Sequence, residues 1–100
     1  MSKVIFTIQY ELKLDKKDEY LGVIKELKNL LNADGLESYS VYEIKGKPNH
    51  FQEVYTFNSM EAYEAFDDNP NERINILINK LSEMTVDNTT KYTILTEIAS

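Results

Sequence analysis

Glu53 is the residue with the most chemistry open to it. It lies in HFQEVYTFN, residues 50–58, where alternation puts Phe51, Glu53, Tyr55 and Phe57 on one face and Gln52, Val54 and Thr56 on the other. A carboxylate among aromatics loses solvation, so its pKa rises and it becomes a general acid or base near neutral pH. The alternative is a carboxylate at a sheet edge, or one simply held by a tyrosine. Of the seven tyrosines, Tyr10, Tyr39, Tyr42, Tyr55, Tyr63 and Tyr92 each offer an apolar body and one polar tip. Such residues line small-molecule pockets or sit in cores with the hydroxyl satisfied. The single histidine, His50, opens the same segment beside a turn and reads as solvated rather than as a proton shuttle. Between Lys47 and Arg73 there is no lysine or arginine, but six acids: Glu53, Glu61, Glu64, Asp67, Asp68 and Glu72. Their spacing matches no calcium loop, which leaves a solvated helix face and loop. Arg73 is the only arginine, so a bidentate clamp for phosphate or carboxylate has one source. No glycine-rich phosphate loop, Ser-His-Asp set or metal motif is present.

The elements that must position these groups follow from periodicity. Residues 4–14 alternate, with Val4, Phe6, Ile8, Tyr10, Leu12 and Leu14 on one face, and predict a strand. Asp15 reads as the N-cap of a helix whose first turn carries Asp18 and Glu19 and whose stripe is Tyr20, Ile24, Leu27 and Leu31. Gly35 reads as its left-handed terminator. Residues 36–45 are a second strand with poor alternation, which fits an edge or a strand covered on both sides. GKPN at 46–49 is turn chemistry leading into the third strand, 50–58. Asn58 with Glu61 reads as a capping box before a short helix carrying Met60, Tyr63 and Phe66. DDNP at 67–70 interrupts it. Asn69 as cap, Pro70 in the first turn and Glu72 then start a second segment with the stripe Ile74, Leu77, Ile78, Leu81 and Met84. Residues 91–99 are the last strand, with Tyr92, Ile94 and Ile98 on one side and Leu95 on the other.

The order β-α-β-β-α-β, with the second helix broken, predicts an α+β ferredoxin-like sandwich: one four-stranded antiparallel sheet with helices on one face, in a single domain over 1–100. The opposite face carries Ile5, Val54 and Thr56, with Leu95 and either Val41 or Tyr39 beside them. That is too apolar for comfortable exposure and predicts a symmetric homodimer.

Composition narrows function further. A chain of 100 residues with 42% hydrophobic and 28% charged residues is long enough for one core and too apolar for wholesale disorder. A formal net charge of -6 argues against nucleic acid as a partner. No apolar run reaches the length of a membrane span, and the start, MSKVIFTIQYELK, turns polar too early for a signal peptide, so a cytoplasmic location is expected. With no cysteine and one histidine, disulfides, thiol nucleophiles and multi-histidine metal sites are excluded.

The element order and the stretch ADGLESYSVYEIKGKPNHFQEVYTFNSMEAYEAF, above all NSMEAYEAF, resemble the antibiotic-biosynthesis-monooxygenase-like domains of the dimeric α+β barrel superfamily. Gly35 falls where that family has a glycine opening its second strand, and Ser59, Glu61, Ala62 and Ala65 fit its junction from third strand to helix. The resemblance turns the Glu53 face toward the helices. It implies a dimer with an aromatic pocket between sheet and helices in each subunit, taking a small apolar or aromatic organic molecule. Cofactor-independent oxygenation or isomerisation is the activity it implies, with no metal and no cofactor. Glu53 and Tyr55 are then the catalytic candidates, and Tyr10, Phe51, Phe57, Tyr63 and Phe66 the ligand-binding ones. Where family members carry a glutamate, a tryptophan two residues on and a helix histidine, this chain has Tyr55, Phe57 and Phe66. The haem-degrading branch needs that histidine for iron and an asparagine on the first strand, where Gln9 is the nearest analogue. The alternative function is a non-enzymatic sensing or assembly module whose pocket is filled by its own Phe and Tyr side chains.

Overall fold

The computed structural model describes residues 2–67 and 71–98. The alternating first segment forms β1, Val4–Glu11, followed by α1, Lys17–Leu30, β2, Leu36–Glu43, and β3, His50–Phe57. Then come α2, Met60–Asp67, α3, Glu72–Met84, and β4, Lys91–Thr96. The sheet order is β2-β3-β1-β4 and every neighbouring pair is antiparallel. This is the expected α+β ferredoxin-like architecture, with the second helical region split in two.

The core lies between the sheet and the helices. β3 alternates without fault: Phe51, Glu53, Tyr55 and Phe57 are buried, and the residues between them are half-buried. From β1 the same face adds Val4 and Tyr10, and α1 supplies Tyr20, Val23, Ile24 and Leu27. Leu77, Leu81 and Met84 of α3 complete it, and α3 packs alongside α1. Arg73 links the two helices through a fork on Glu26, with Nη2 donating at 2.8 Å, so the one arginine is not free to clamp a ligand.

Several local expectations are corrected. β1 ends at Glu11, not residue 14, because Leu12 and Lys13 turn their amides to Asn49 and Met84 (2.7 and 2.8 Å), and Leu12 bridges Thr85. Asp15 is not a cap: it takes a left-handed φ of 70°, swings Leu14 out into solvent, and leaves α1 to start after Lys16 without a side-chain cap. Gly35 (φ 85°) does not terminate α1, which ends at Leu30. It opens β2 instead. Ser59, not Asn58, caps α2, its Oγ accepting from the Ala62 amide at 3.1 Å. Asn71, not Asn69, caps α3, its Oδ1 accepting from the Ile74 amide at 3.0 Å. Asp68, Asn69 and Pro70 of the predicted break lie outside the described residues.

β2 is an edge strand, one of the two options its pattern left. A bulge between Leu36 and Ser38 shifts its register, so Tyr39 pairs with Tyr55 and Val41 with Glu53 on the helix face. Neither belongs to the open face, as had been expected of one of them. Ser38, Ser40 and Tyr42 stand there instead, with Ile5, Val54, Thr56 and Leu95. β4 stops at Thr96, so Glu97 and Ile98 of the predicted strand are not part of it, Ala99 lies outside the described residues, and all six residues of β4 are exposed. Ile78 of α3, expected in the buried stripe, is exposed too, because α3 stands away from the sheet on this side.

Candidate functional site

Glu53 sits on β3, between β2 and β1 in the sheet, paired with Ile8 of β1 and Val41 of β2. Its pleat faces the helices, and the side chain is 2% exposed. One pleat away on the same face, three tyrosines converge on it. Tyr39 of β2 donates to Oε1 at 2.7 Å, Tyr10 of β1 to Oε2 at 2.8 Å, and Tyr55 of β3 to Oε1 at a long 3.4 Å. Diagonal neighbours on a sheet are within reach of long aromatic side chains, which is why three strands can aim at one carboxylate. Above them Tyr20, from the first turn of α1, meets the Tyr10 hydroxyl at 2.7 Å. Since the Tyr10 proton is committed to Glu53, Tyr20 is the donor in that contact.

The electrostatics are one-sided. Burial pushes the Glu53 carboxyl above its ordinary value, and the bonds from Tyr39, Tyr10 and Tyr55 pull part of the way back. Burial likewise raises all four phenols, and the Glu53 charge adds to it in each. The hydrogen-bond partners of Glu53 are phenols only, and its ion pairing to lysine, arginine or histidine is nil among the described residues. The carboxylate therefore has donors but no counter-charge.

Glu53 opens onto a cavity of about 340 Å³ between the sheet and α3. Tyr10, Tyr55 and Phe66 line it with Glu53, as do Phe6 and Ile8 of β1. The far wall comes from α3, through Ile74, Asn75, Ile78 and Ser82, and β4 adds Tyr92 at one side. Phe51, Phe57 and Tyr63, expected as ligand contacts, are absent from the described lining. They back it: Phe51 lies 4.8 Å from the Tyr20 ring, and Phe57 packs 5.3 Å from Phe66 and 5.6 Å from Tyr63. His50 stands apart at the sheet end, its Nδ1 3.0 Å from the Pro48 carbonyl and its Nε2 3.7 Å from Glu11. Glu61, Glu64 and Glu72 of the acidic run are exposed, whereas Glu53 is not. The described residues hold no cluster of three or more potential metal ligands.

Of the four phenols in this network, three bonding Glu53 and Tyr20 bonding Tyr10, sequence reading gave Tyr20 no polar role and named Tyr39 without a place beside Glu53. Tyr39 was hidden by the β2 bulge, which no residue pattern announced. Tyr20 was read as apolar stripe, although a tyrosine heading an otherwise aliphatic row was a usable signal. The polar α3 lining was also missed. Asn71, Asn75 and Ser82 fall at i, i+4 and i+11, one helical stripe beside Ile74 and Ile78, and that spacing was legible.

No family model matches the chain, and no curated protein does. Solved structures match it over nearly their whole length. A conserved protein from Methanosarcina mazei has a TM-score of 0.80 at 19% identity, covering 95% of this chain and 92% of its own. A putative antibiotic biosynthesis monooxygenase from Nitrosomonas europaea gives 0.80 at 9%, covering 97% and 91%. A cofactor-independent oxygenase from Streptomyces nogalater gives 0.78 at 12%, covering 98% and 95%. The fold is thus the one shared by antibiotic-biosynthesis-monooxygenase-like structures, as the resemblance implied.

Proposed function

We propose that the protein is a homodimer that binds a small apolar or aromatic organic molecule in the cavity beside Glu53. The carrying observation is a buried, phenol-ringed carboxylate without counter-charge in the wall of an open aromatic cavity. A core carboxylate with no ligand to meet costs stability for nothing, and such groups concentrate at functional sites. Glu53 accepts a proton from the ligand. Tyr55, whose bond to Glu53 is the longest of the three, is the phenol best able to turn its proton to a ligand oxygen that gains charge. A monooxygenase-like, cofactor-independent reaction fits this arrangement. A ring methylene made electron-rich by proton loss reacts with dioxygen, gives a carbonyl, and releases the second oxygen as water. The fold shared with a cofactor-independent oxygenase supports that chemistry by analogy. A chain without cysteine suits the cytoplasm.

Native mass spectrometry of the purified protein should show a dimer carrying one small molecule per subunit. Oxygen uptake with the molecule so retained should be abolished by E53Q and lowered by Y55F. Retention of no ligand, together with no uptake, would sink the reading.

A further inference from the structure

The cavity's charge pattern says more about the ligand than its size does. Each carboxylate oxygen has two acceptor sites. Oε1 of Glu53 is filled by Tyr39 and Tyr55, while Oε2 takes only Tyr10. One acceptor site, on Oε2, is left in a residue that lines the cavity. A ligand group meeting it must bring a hydrogen. The rest of the lining sets the charge. Among the described residues that line the cavity there is no lysine, arginine or histidine, and Glu53 is the only carboxylate. The groups facing Glu53 are Tyr10 from β1, Tyr39 from β2, Tyr55 from β3 and, through Tyr10, Tyr20 from α1. All are neutral donors. From α3 the cavity receives the uncharged Asn71, Asn75 and Ser82. Five rings, Phe6, Tyr10, Tyr55, Phe66 and Tyr92, stand around the space, with Phe6 5.5 Å from Tyr55 and stacked 6.1 Å from Tyr92. Ring faces attract cations, and the carboxylate lacks one.

We infer that the ligand of this cavity is a protonated amine on an aromatic or apolar body, with its ammonium on Oε2 of Glu53 and its body among the rings. The inference rests on the ligand-binding reading above and names the ligand class for the same site. An ammonium held on Oε2 uses Glu53 in its ionised form, the same form that the proton-accepting role requires. The same pattern rejects anions, because no lining group offers a positive charge and Glu53 repels them. The overall charge of -6 works in the same direction at longer range.

The test compares three ligands of nearly one shape, titrated calorimetrically into the intact protein: 2-phenylethylamine, 2-phenylethanol and phenylacetate. The amine should bind at least about tenfold tighter than the alcohol, the worth of one charge-assisted bond, and phenylacetate should not bind. E53Q should remove that margin. E64Q, which alters an exposed acid outside the cavity, should keep it. Should E53Q fail to fold, the wild type still decides. The margin of amine over alcohol should shrink as acid protonates Glu53. Equal binding of amine and alcohol, or preference for the acid, overturns the amine assignment but leaves an aromatic-binding cavity standing. Absence of binding by all three overturns both readings.

Discussion

The two edges of the sheet are built on opposite terms. At the β2–β3 edge, every residue of β3 on the inner face is buried, and the rings of Tyr39, Tyr55, Phe57 and Phe66 touch one another at 4.7–6.4 Å. At the β4 edge, Tyr92, Ile94 and Leu95 are about half exposed or more, and α3 stands off the sheet to leave the cavity. The same kinds of side chain occupy both edges. What differs is whether a helix closes on them. The closed edge holds the fold, and the open edge is where a ligand or a second copy of the chain has something to gain.

The largest effect should separate the edges by stability. Phe57→Ala removes a fully buried ring and should cost about 3–5 kcal/mol in urea unfolding. Ile94→Ala on β4 should cost about 1 kcal/mol or less, since much of that side chain is already in water. Comparable losses would erase the contrast. Val54→Lys comes next. Its charge lands on the open face beside Ile5 and Thr56, and light scattering should show the dimer replaced by monomer or aggregate. A wild-type monomer at micromolar concentration would remove the second copy from the argument.

A smaller effect appears in the pH dependence. Glu53's folded pKa lies above its unfolded value, so its protonated form stabilises the fold below the unfolded value of about 4.3. That stability is lost as pH rises through the folded pKa, and the curve is flat above it. E53Q should lack this slope and melt no lower than wild type near pH 8. An identical slope in both proteins would place Glu53 in water. At the other end of the scale, Tyr10, Tyr20, Tyr39 and Tyr55 are all raised, so their phenolate absorbance should appear only as the protein unfolds in alkali. Last, Arg73→Ala should leave the midpoint unchanged within error, because its fork on Glu26 is exposed and screened.

Legibility in the sequence followed the same division. β3 could be read residue by residue, because strict alternation has one geometric meaning and Glu53 had to follow Phe51 and Tyr55 inward. The start of α1 could not. Asp15 has the right chemistry for a cap, but the chain had to reverse after Lys13, and the left-handed turn took that residue first. Tyr39 was misplaced as an option for the open face because one bulge flips every side chain beyond it. Ile78 matched a buried stripe, yet burial needs an opposite wall, and on that side of α3 there is a cavity instead. Local periodicity reports which residues share a face. It does not report how far away the next layer stands.

Gly35 gives the cavity an unequal pair of walls. Its φ is 85°, a Cβ there would sit 2.4 Å from the Ala62 Cβ, and its carbonyl accepts from the Asn58 amide at 2.8 Å. The start of α2 is thereby seated directly on the start of β2, with no side chain between them to yield. Phe66 is carried by that seated helix, whereas Ile74, Asn75 and Ile78 belong to α3 across the cavity. In terms of motion, the Phe66 wall, anchored by that backbone contact, should shift less on ligand binding than the cavity-facing side of α3. Exchange broadening on ligand binding should then concentrate in α3 and spare residues 58–62, and the rate of ligand uptake would be set by one helix rather than by the sheet.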